Sequence, residues 1–382
     1  MKDVFIIGVG VVPARPLSPD VSYREIIFEA AVKAYEDAGI EHKDVETFVA
    51  ASEDFNEGVS IFDEYVPDQL GAVLKPVHTI GGDGLMALAA AYLQIATGGF
   101  RVAFVESHSK ISNLLTPYHI EEFALDPIYF RNTRLSPKFL AAMDMQSYLA
   151  KSCAPYDAFA SVVCTHRKNA MKNPFAAYPA SLSPEDVLAT RVVASPLLDG
   201  LCAKPADGAC CVILANRDVA EACKRAVAIE GIAFYTAEPH PDTWKWGCAS
   251  YAELCAKKAY KMAGIASPEN EVDLVEVDDR FAHKFFEHIE ALRLSKPFEA
   301  YKDFVNGKFS RKGQVPANLS GGHLGIGMMH EATCLYQLAY AVQQLRGEAG
   351  ESQLGKVDCA VVQSWRGLPT QTGALAVLRR WG

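Results

Sequence analysis

Two glycine-rich turns in this chain stand where main chain can do chemistry. HTIGGDG (residues 78–84) and NLSGGHLGIG (residues 318–327) each lead into a long apolar segment. A turn entering a helix aims unpaired N–H groups and a positive helix end at one point, which suits a nucleophile, a phosphate or an oxyanion. The first turn itself holds no obvious nucleophile. Gly81, Gly82, Gly321 and Gly322 let the backbone approach a carbonyl closely, so their amides are candidate oxyanion donors. His323 follows Gly321-Gly322 directly and His330 lies further along; imidazole titrates near neutrality and suits proton transfer. Asp278 and Asp279 close the apolar segment VDLVEV and precede Arg280. Carboxylates at a strand end can act as bases when partly desolvated, and Asp278 is the candidate.

A repeat shows what must position these groups. KAYEDAGI (residues 33–40) and KAYKMAGI (residues 258–265) agree at six of eight positions. Each ends a helix: Ser22-Tyr23 opens the first, Ser250-Tyr251 the second, and Gly39 and Gly264 fit the residue just past a helix end. Apolar strands follow both, VETFVAA (residues 45–51) and VDLVEV (residues 272–277). Each glycine-rich turn then opens a helix, running to about Gly98 and about Arg346, and the strands RVAFVES and DCAVVQSW come next. The chain therefore reads as two copies of a β-α-β-α-β unit in an α/β layered fold. The expected halves are residues 1–220 and 221–382, joined near residues 215–226. A mainly helical loop domain, residues 108–190, is inserted in the first.

Composition removes several function classes. Of 382 residues half are apolar and 22% charged, and the net charge is −9 with no block of Lys or Arg. A nucleic-acid or anionic-membrane surface is not expected. No apolar run reaches the roughly 18–20 residues of a membrane helix, and MKDVFIIGVGVVPARP reads as a buried first strand, not a signal peptide. Ten cysteines are scattered without a C-x-x-C pair, which argues against zinc in this chain and for reduced, mostly buried thiols in a cytoplasmic protein. No G-x-G-x-x-G or G-x-x-x-x-G-K-[ST] motif stands in a nucleotide-binding context.

Over essentially its whole length the chain resembles the thiolase superfamily, nearest to the sterol-carrier-protein-type and archaeal thiolases. LLDGLCAKPADGACCVILA (residues 197–215) is similar to the family's D-x-x-x-x-x-D-G-A segment, VDLVEVDDRFA to its V-E-V-H-D-x-F segment, and NLSGGHLGIG to N-x-G-G-x-L-x-x-G. QIATGG, at the end of the first central helix, matches a further signature. The resemblance implies a five-layer α-β-α-β-α fold of two pseudo-symmetric halves. It also implies an acyl-carrying cysteine at the tip of the first central helix, where the helix dipole favours the thiolate. That position here is Gly81, with Asp83 two residues on. The family's first histidine falls on Asp278 and its second on Met328, with Met329 in place of the following proline. The second, acid/base cysteine falls near Ser364 or Trp365. Asn318 matches an asparagine that helps hold a water or the oxyanion, and Asp279 a framework aspartate.

Four altered reactive positions argue against two-step acyl transfer. The expectation is an enzyme on acyl-CoA thioesters that cleaves or forms a carbon–carbon bond without an acyl-cysteine, by retro-aldol or related acyltransferase-like chemistry. Asp278, His323, His330 and Asn318 are its catalytic candidates. Gly81, Gly82, Asp83, Gly321, Gly322, Met328 and Ser364 are its oxyanion and substrate-binding candidates. Coenzyme A is expected as the acyl-CoA substrate, and no metal in this chain. The alternatives are a non-catalytic subunit paired with an active partner, and a conventional acetyl-CoA acyltransferase. The resemblance also implies a homodimer or thiolase-like heterodimer and a small zinc-ribbon/OB-fold partner protein. Cys334 is read as too far along the second central helix to reach the first helix tip. His166, Lys168 and Lys172 are read as a solvated helix face.

Overall fold

VFIIGVGV folds as strand β1 (Val4–Val11), buried at every position. The computed structural model describes residues 3–53, 62–114, 122, 125–133, 135–237, 240–367 and 371–381. Helix α1 (Tyr23–Ala38) starts in a capping box, Ser22 and Glu25 each accepting the other's amide, and ends at Gly39 with φ +67°. Its buried stripe, Ile26, Ile27, Ala30, Ala31 and Ala34, lies against the sheet. The first copy continues with β2 (Thr47–Ala51), β3 (Val77–Ile80), α2 (Gly84–Ala96), β4 (Val102–Ser109), α3 (Pro137–Ser152), α4 (Tyr156–Ala170) and β5 (Gly208–Asn216). The second runs β6 (Val227–Thr236), α5 (Ser250–Ala263), β7 (Leu274–Glu276), α6 (Ala282–Ala291), α7 (Gly322–Ile326), α8 (Thr333–Arg346), β8 (Cys359–Gly367) and β9 (Gln371–Arg380).

The strands form one sheet in the order β3-β2-β4-β5-β1-β6-β9-β8-β7. The first five repeat in mirrored order as the last four. Where the first copy has β3 beside β2, the second keeps only an isolated parallel bridge, Val275 to Ala317. The copies join through two residue pairs, Phe5–Ala228 and Ile6–Val227. The sheet halves fold over α2 and α8, which share one core with both, while α1 covers the first half outside and α5 the second. That is the expected five-layer arrangement, and its two innermost helices are buried almost all round. Gly84 permits their approach: a Cβ there would lie 2.3 Å from Leu335 Cγ.

One reading needs amending. The second central helix is not continuous. Gly327 at φ +115° ends α7, and Thr333 starts α8 with its hydroxyl bridging Gly327 O (2.8 Å) and Met329 N (2.9 Å). Met328 to His330 therefore lie in a break between helices, and Cys334 is the second residue of α8. Within residues 108–190 the described helices are α3, α4 and a short one at Pro184–Leu188, and residues 115–121, 123, 124 and 134 of the aromatic-rich stretch lie outside the described residues. Among the described residues no helix is long and apolar enough to cross a membrane.

Candidate active site

The tip of α2 is capped by a carboxylate. Asp83 Oδ1 accepts the amides of Leu85 (3.0 Å) and Met86 (3.1 Å). The residue is 1% exposed, and burial pushes its pKa up against the opposing pull of Ser364 and Met86 N. Its first function is thus to hold the helix start. Gly81 just before it is exposed, and a Cβ there would meet nothing within 4 Å. No steric demand requires glycine at this position. Among the described residues the amides of Gly81 and Gly82 donate to no protein acceptor, so the first turn keeps bare N–H groups.

Tertiary packing places a sulfur at this tip, contrary to the reading of Cys334. The segment before α8 abuts α2, with Gly84 N donating to Glu331 O (2.9 Å), and Cys334 faces the Gly84 and Leu85 amides. The thiol donates to Glu331 O at 3.3 Å. Burial, then the Asp83 charge, pushes its pKa well up despite the amides. The sulfur is a neutral donor there, not a thiolate.

Beside the tip lies a buried ionic cluster built at the end of β7. Arg280 clasps Asp278 through Nη2 (2.7 Å) and Nε (3.0 Å). His323 Nε2 stands 3.2 Å from the same carboxylate. Burial works to raise the Asp278 pKa, but the charges of Arg280 and His323 outweigh it and hold the group well below the usual carboxylate range. His323 is held below its ordinary pKa, chiefly by burial. Among the described residues its Nδ1 makes no hydrogen bond and stands 3.8 Å from Asp279 Oδ1.

The second glycine-rich turn is different from the first, because its amides are spent. Gly321 N donates to Asn318 O (3.1 Å), Gly322 N to Ser320 Oγ (3.1 Å) and His323 N to Asp279 Oδ1 (2.6 Å). Gly322, at φ +58°, has no room for a Cβ, which would meet the Asp279 carboxylate at 2.4 Å. Asp279 also bonds His166 Nδ1 at 2.6 Å, so His166 is a buried strut between α4 and this turn, not a solvated residue. Lys168 and Lys172 are exposed. Asn318 gives Oδ1 to Val277 N (2.8 Å) and Nδ2 to Val277 O (3.0 Å), so its amide clips the turn to the strand end.

The break between α7 and α8 brings His330 to Arg366 at the end of β8. Arg366 Nη1 lies 3.0 Å from His330 Nδ1, and Arg366 is itself bound by Glu53. A guanidinium has only donors, so Nδ1 is the acceptor and Nε2 carries the ring proton. Burial, then the Arg366 charge, holds His330 well below its ordinary pKa. Met328 is half-buried and donates its amide to Lys204 O (2.7 Å). Ser364 is buried next to Asp83.

Sequence reasoning missed a second buried set. Lys284 Nζ binds Asp144 (3.0 Å) and Glu287 (2.5 Å) and lies 4.7 Å from the centre of the Trp365 ring. Asp144, His283 and Glu287 have ligating atoms within 4.8 Å of one another, but the Lys284 ammonium is the cation between the two carboxylates. The signal was the spacing of His283, Lys284, Glu287 and His288 on α6, a polar stripe on a helix buried from Ala282 to Ile289. Asp144 comes from α3, far away in sequence.

Comparison with known proteins agrees with this architecture. Residues 243–380 match the "Thiolase C-terminal domain-like" family model. The chain is 29% identical over 366 residues to an acetyl-CoA acetyltransferase of Methanothermobacter thermautotrophicus, covering 93% of this chain and 94% of that one. It is 26% identical to Sterol carrier protein 2 of Gallus gallus, over 93% of this chain and 68% of the other. The solved Ltp2-ChsH2(DUF35) aldolase superposes with a TM-score of 0.84 at 21% identity, covering 99% of this chain and 98% of that one. Over most of its length the chain is thus similar to proteins of the thiolase superfamily, and its C-terminal part matches that family's C-terminal domain model.

Proposed function

We propose that this protein acts on acyl-CoA thioesters and cleaves or forms a carbon–carbon bond without an acyl-cysteine, as in retro-aldol cleavage of a β-hydroxyacyl-CoA. The observation that carries this reading is Gly81 at the α2 tip, with bare amides on Gly81 and Gly82 and only a neutral thiol, Cys334, nearby. Those amides suit a thioester oxygen that gains charge as the enolate forms. Neutral His330, whose Nδ1 is taken by Arg366, can add an Nε2–H donor. His323 is the base: Asp278 accepts its Nε2–H and its Nδ1 lone pair takes the β-hydroxyl proton. The bond between Cα and Cβ then breaks, a carbonyl product leaves, and the enolate is reprotonated. Likeness to an acetyl-CoA acetyltransferase and to an aldolase supports the substrate class and the bond broken.

A non-catalytic subunit is the second reading. It is favoured by burial, since Asp278, His323 and His330 are 0%, 1% and 3% exposed. A homodimer or thiolase-like heterodimer, and a small zinc-ribbon/OB-fold partner, belong to either reading, and likeness to the Ltp2-ChsH2(DUF35) assembly supports the latter partner. A conventional thiolase is the third.

The test is incubation with a β-hydroxyacyl-CoA, following the release of the shortened acyl-CoA and the carbonyl product. Turnover that is lost in His323→Gln and His330→Ala, with no acetylated cysteine after exposure to acetyl-CoA, is expected. CoA-ester binding without turnover selects the non-catalytic subunit, and an acetylated cysteine selects the conventional thiolase.

A further inference from the structure

Asp83 has a second carboxyl oxygen that the helix cap leaves over. Its Oδ1 accepts the amides of Leu85 (3.0 Å) and Met86 (3.1 Å), so the group is held in one orientation at the start of α2. Its Oδ2 is buried and, among the described residues, makes no hydrogen bond. Ser364, brought alongside from β8, has a buried hydroxyl in the same condition. Two polar atoms from the two copies of the fold therefore meet unsatisfied, and buried groups of that kind ask for a partner. The further charges that act on Asp83 are Arg280 and Asp278, the pair beside His323. Two residues before Asp83, Gly81 has a bare amide and open space where a Cβ would stand. Asp83 thus adjoins both the oxyanion donors and the cluster that holds the base. A carboxylate with an unmet oxygen is costly in a dry place, and burial raises the pKa of this one, which favours the protonated form. With Oδ1 taken by two amides, the proton belongs on Oδ2.

We propose that Asp83 is the acid of the reaction, its Oδ2–H protonating Cα of the enolate that the Gly81 and Gly82 amides hold. This role rests on the thioester reading and supplies the proton donor that carbon–carbon cleavage requires. In the step, the Oδ2–H bond breaks and the electron pair of the enolate forms the Cα–H bond. The thioester carbonyl is restored, and Asp83 is left as a carboxylate beside the Ser364 hydroxyl, a donor for the new charge. The proton that His323 took from the β-hydroxyl then restores the acid, so no further reactant enters. Run backwards, the same oxygen removes a proton from Cα of the acyl-CoA product. The nearby thiol is not needed for this, since Cys334 donates to Glu331 O at 3.3 Å.

The test is exchange of the Cα hydrogens of acetyl-CoA and of propionyl-CoA in heavy water, followed by mass spectrometry with the full chain. Wild type is expected to exchange at least one of the two, and Asp83→Asn to do so at least about 100-fold more slowly, as loss of a general acid–base group predicts. Asparagine caps a helix as well as aspartate does, so melting temperature and calorimetric affinity for the same CoA ester should stay near wild type. A purely structural role would move those two quantities and not the exchange alone. Should Asp83→Asn fail to fold, Asp83→Ser, which also caps and carries no acid, decides by the same reading. Cys334→Ala should keep the exchange, and its loss there with Asp83→Asn unaffected would assign the proton to sulfur and overturn the proposal. Equal exchange in wild type and Asp83→Asn, or none in wild type, also overturns it. Cleavage of a β-hydroxyacyl-CoA with exchange that ignores Asp83 sinks the acid and leaves the thioester reading standing. Asp83-dependent exchange without cleavage upholds the acid and removes only the cleavage step, whereas failure to bind any CoA ester removes both.

Discussion

His323 Nε2 lies 3.2 Å from Asp278 Oδ2, and Arg280 Nη2 lies 2.7 Å from the same oxygen. One carboxylate therefore neutralises a guanidinium and orients an imidazole. The pair comes from opposite ends of the second copy's site, Asp278 beyond β7 and His323 in α7. Asp278 stands where the superfamily resemblance places a histidine.

Removing the anion should expose its structural share. Asp278→Asn leaves Arg280, 5% exposed, without its charge partner and is expected to cost about 3–5 kcal/mol in denaturant unfolding. Adding Arg280→Met should return much of the loss, because a neutral pair carries no buried charge. A single-variant cost under about 1 kcal/mol would show that the ion pair is not a buried structural unit. The folded pKa of Asp278 is depressed, so its contribution is present above the unfolded value near 4 and is lost as pH falls below it.

Acid sensitivity should begin earlier than carboxylates alone would give. His283, His288, His323 and His330 are all buried with pKa values below the ordinary 6.5, His288 near 3, each with burial as the first cause. The unfolded chain binds protons at these residues as pH drops through about 6.5 while the folded chain does not. Each group can then remove up to about 1.4 kcal/mol per pH unit. Unfolding free energy should fall steeply between pH 6.5 and 5, and a flat profile over that range would contradict neutral burial of these rings.

Glu276 works in the opposite direction. It is fully buried on β7, accepts Ser320 N (3.0 Å) and Ser320 Oγ (2.5 Å), and burial raises its pKa to about 8. A raised carboxylate stabilises the fold below its unfolded value near 4.5, and that contribution drains away as pH climbs to about 8. Glu276→Gln keeps an acceptor for Ser320 N without the charge. Its melting temperature should exceed wild type at pH 8 and match it more closely at pH 5. A drop at pH 8 would mean that the charge itself holds the turn.

Thiol chemistry separates the two sulfur positions. Iodoacetamide at pH 8 should label exposed Cys153 and leave Cys334 untouched under native conditions, by peptide mass spectrometry. Gly81→Cys has room for its side chain and places a thiol at the helix tip. It should fold like wild type and label rapidly. Rapid native labelling of Cys334 would reverse the assignment of a neutral thiol.

The repeat KAYEDAGI/KAYKMAGI, the capping signals at Ser22, Gly39 and Gly264, and the strand–turn–helix order were legible because each is written in contiguous residues. Local backbone preference and hydrophobic periodicity act over a few positions, so they fix elements, and two copies of the elements fix the layers. The identity of the α2 tip was legible for the same reason, since Gly81 and Asp83 lie within the turn itself. What the sequence left undecided is every contact between distant segments. The delivery of Cys334 to the Gly84 and Leu85 amides, the His166–Asp279 strut and the Asp144–Lys284 pair each depend on which helices meet. The protonation states followed from that meeting too. A residue type supplies a reference pKa, but burial and the charges that packing brings within a few ångströms decide which way it moves.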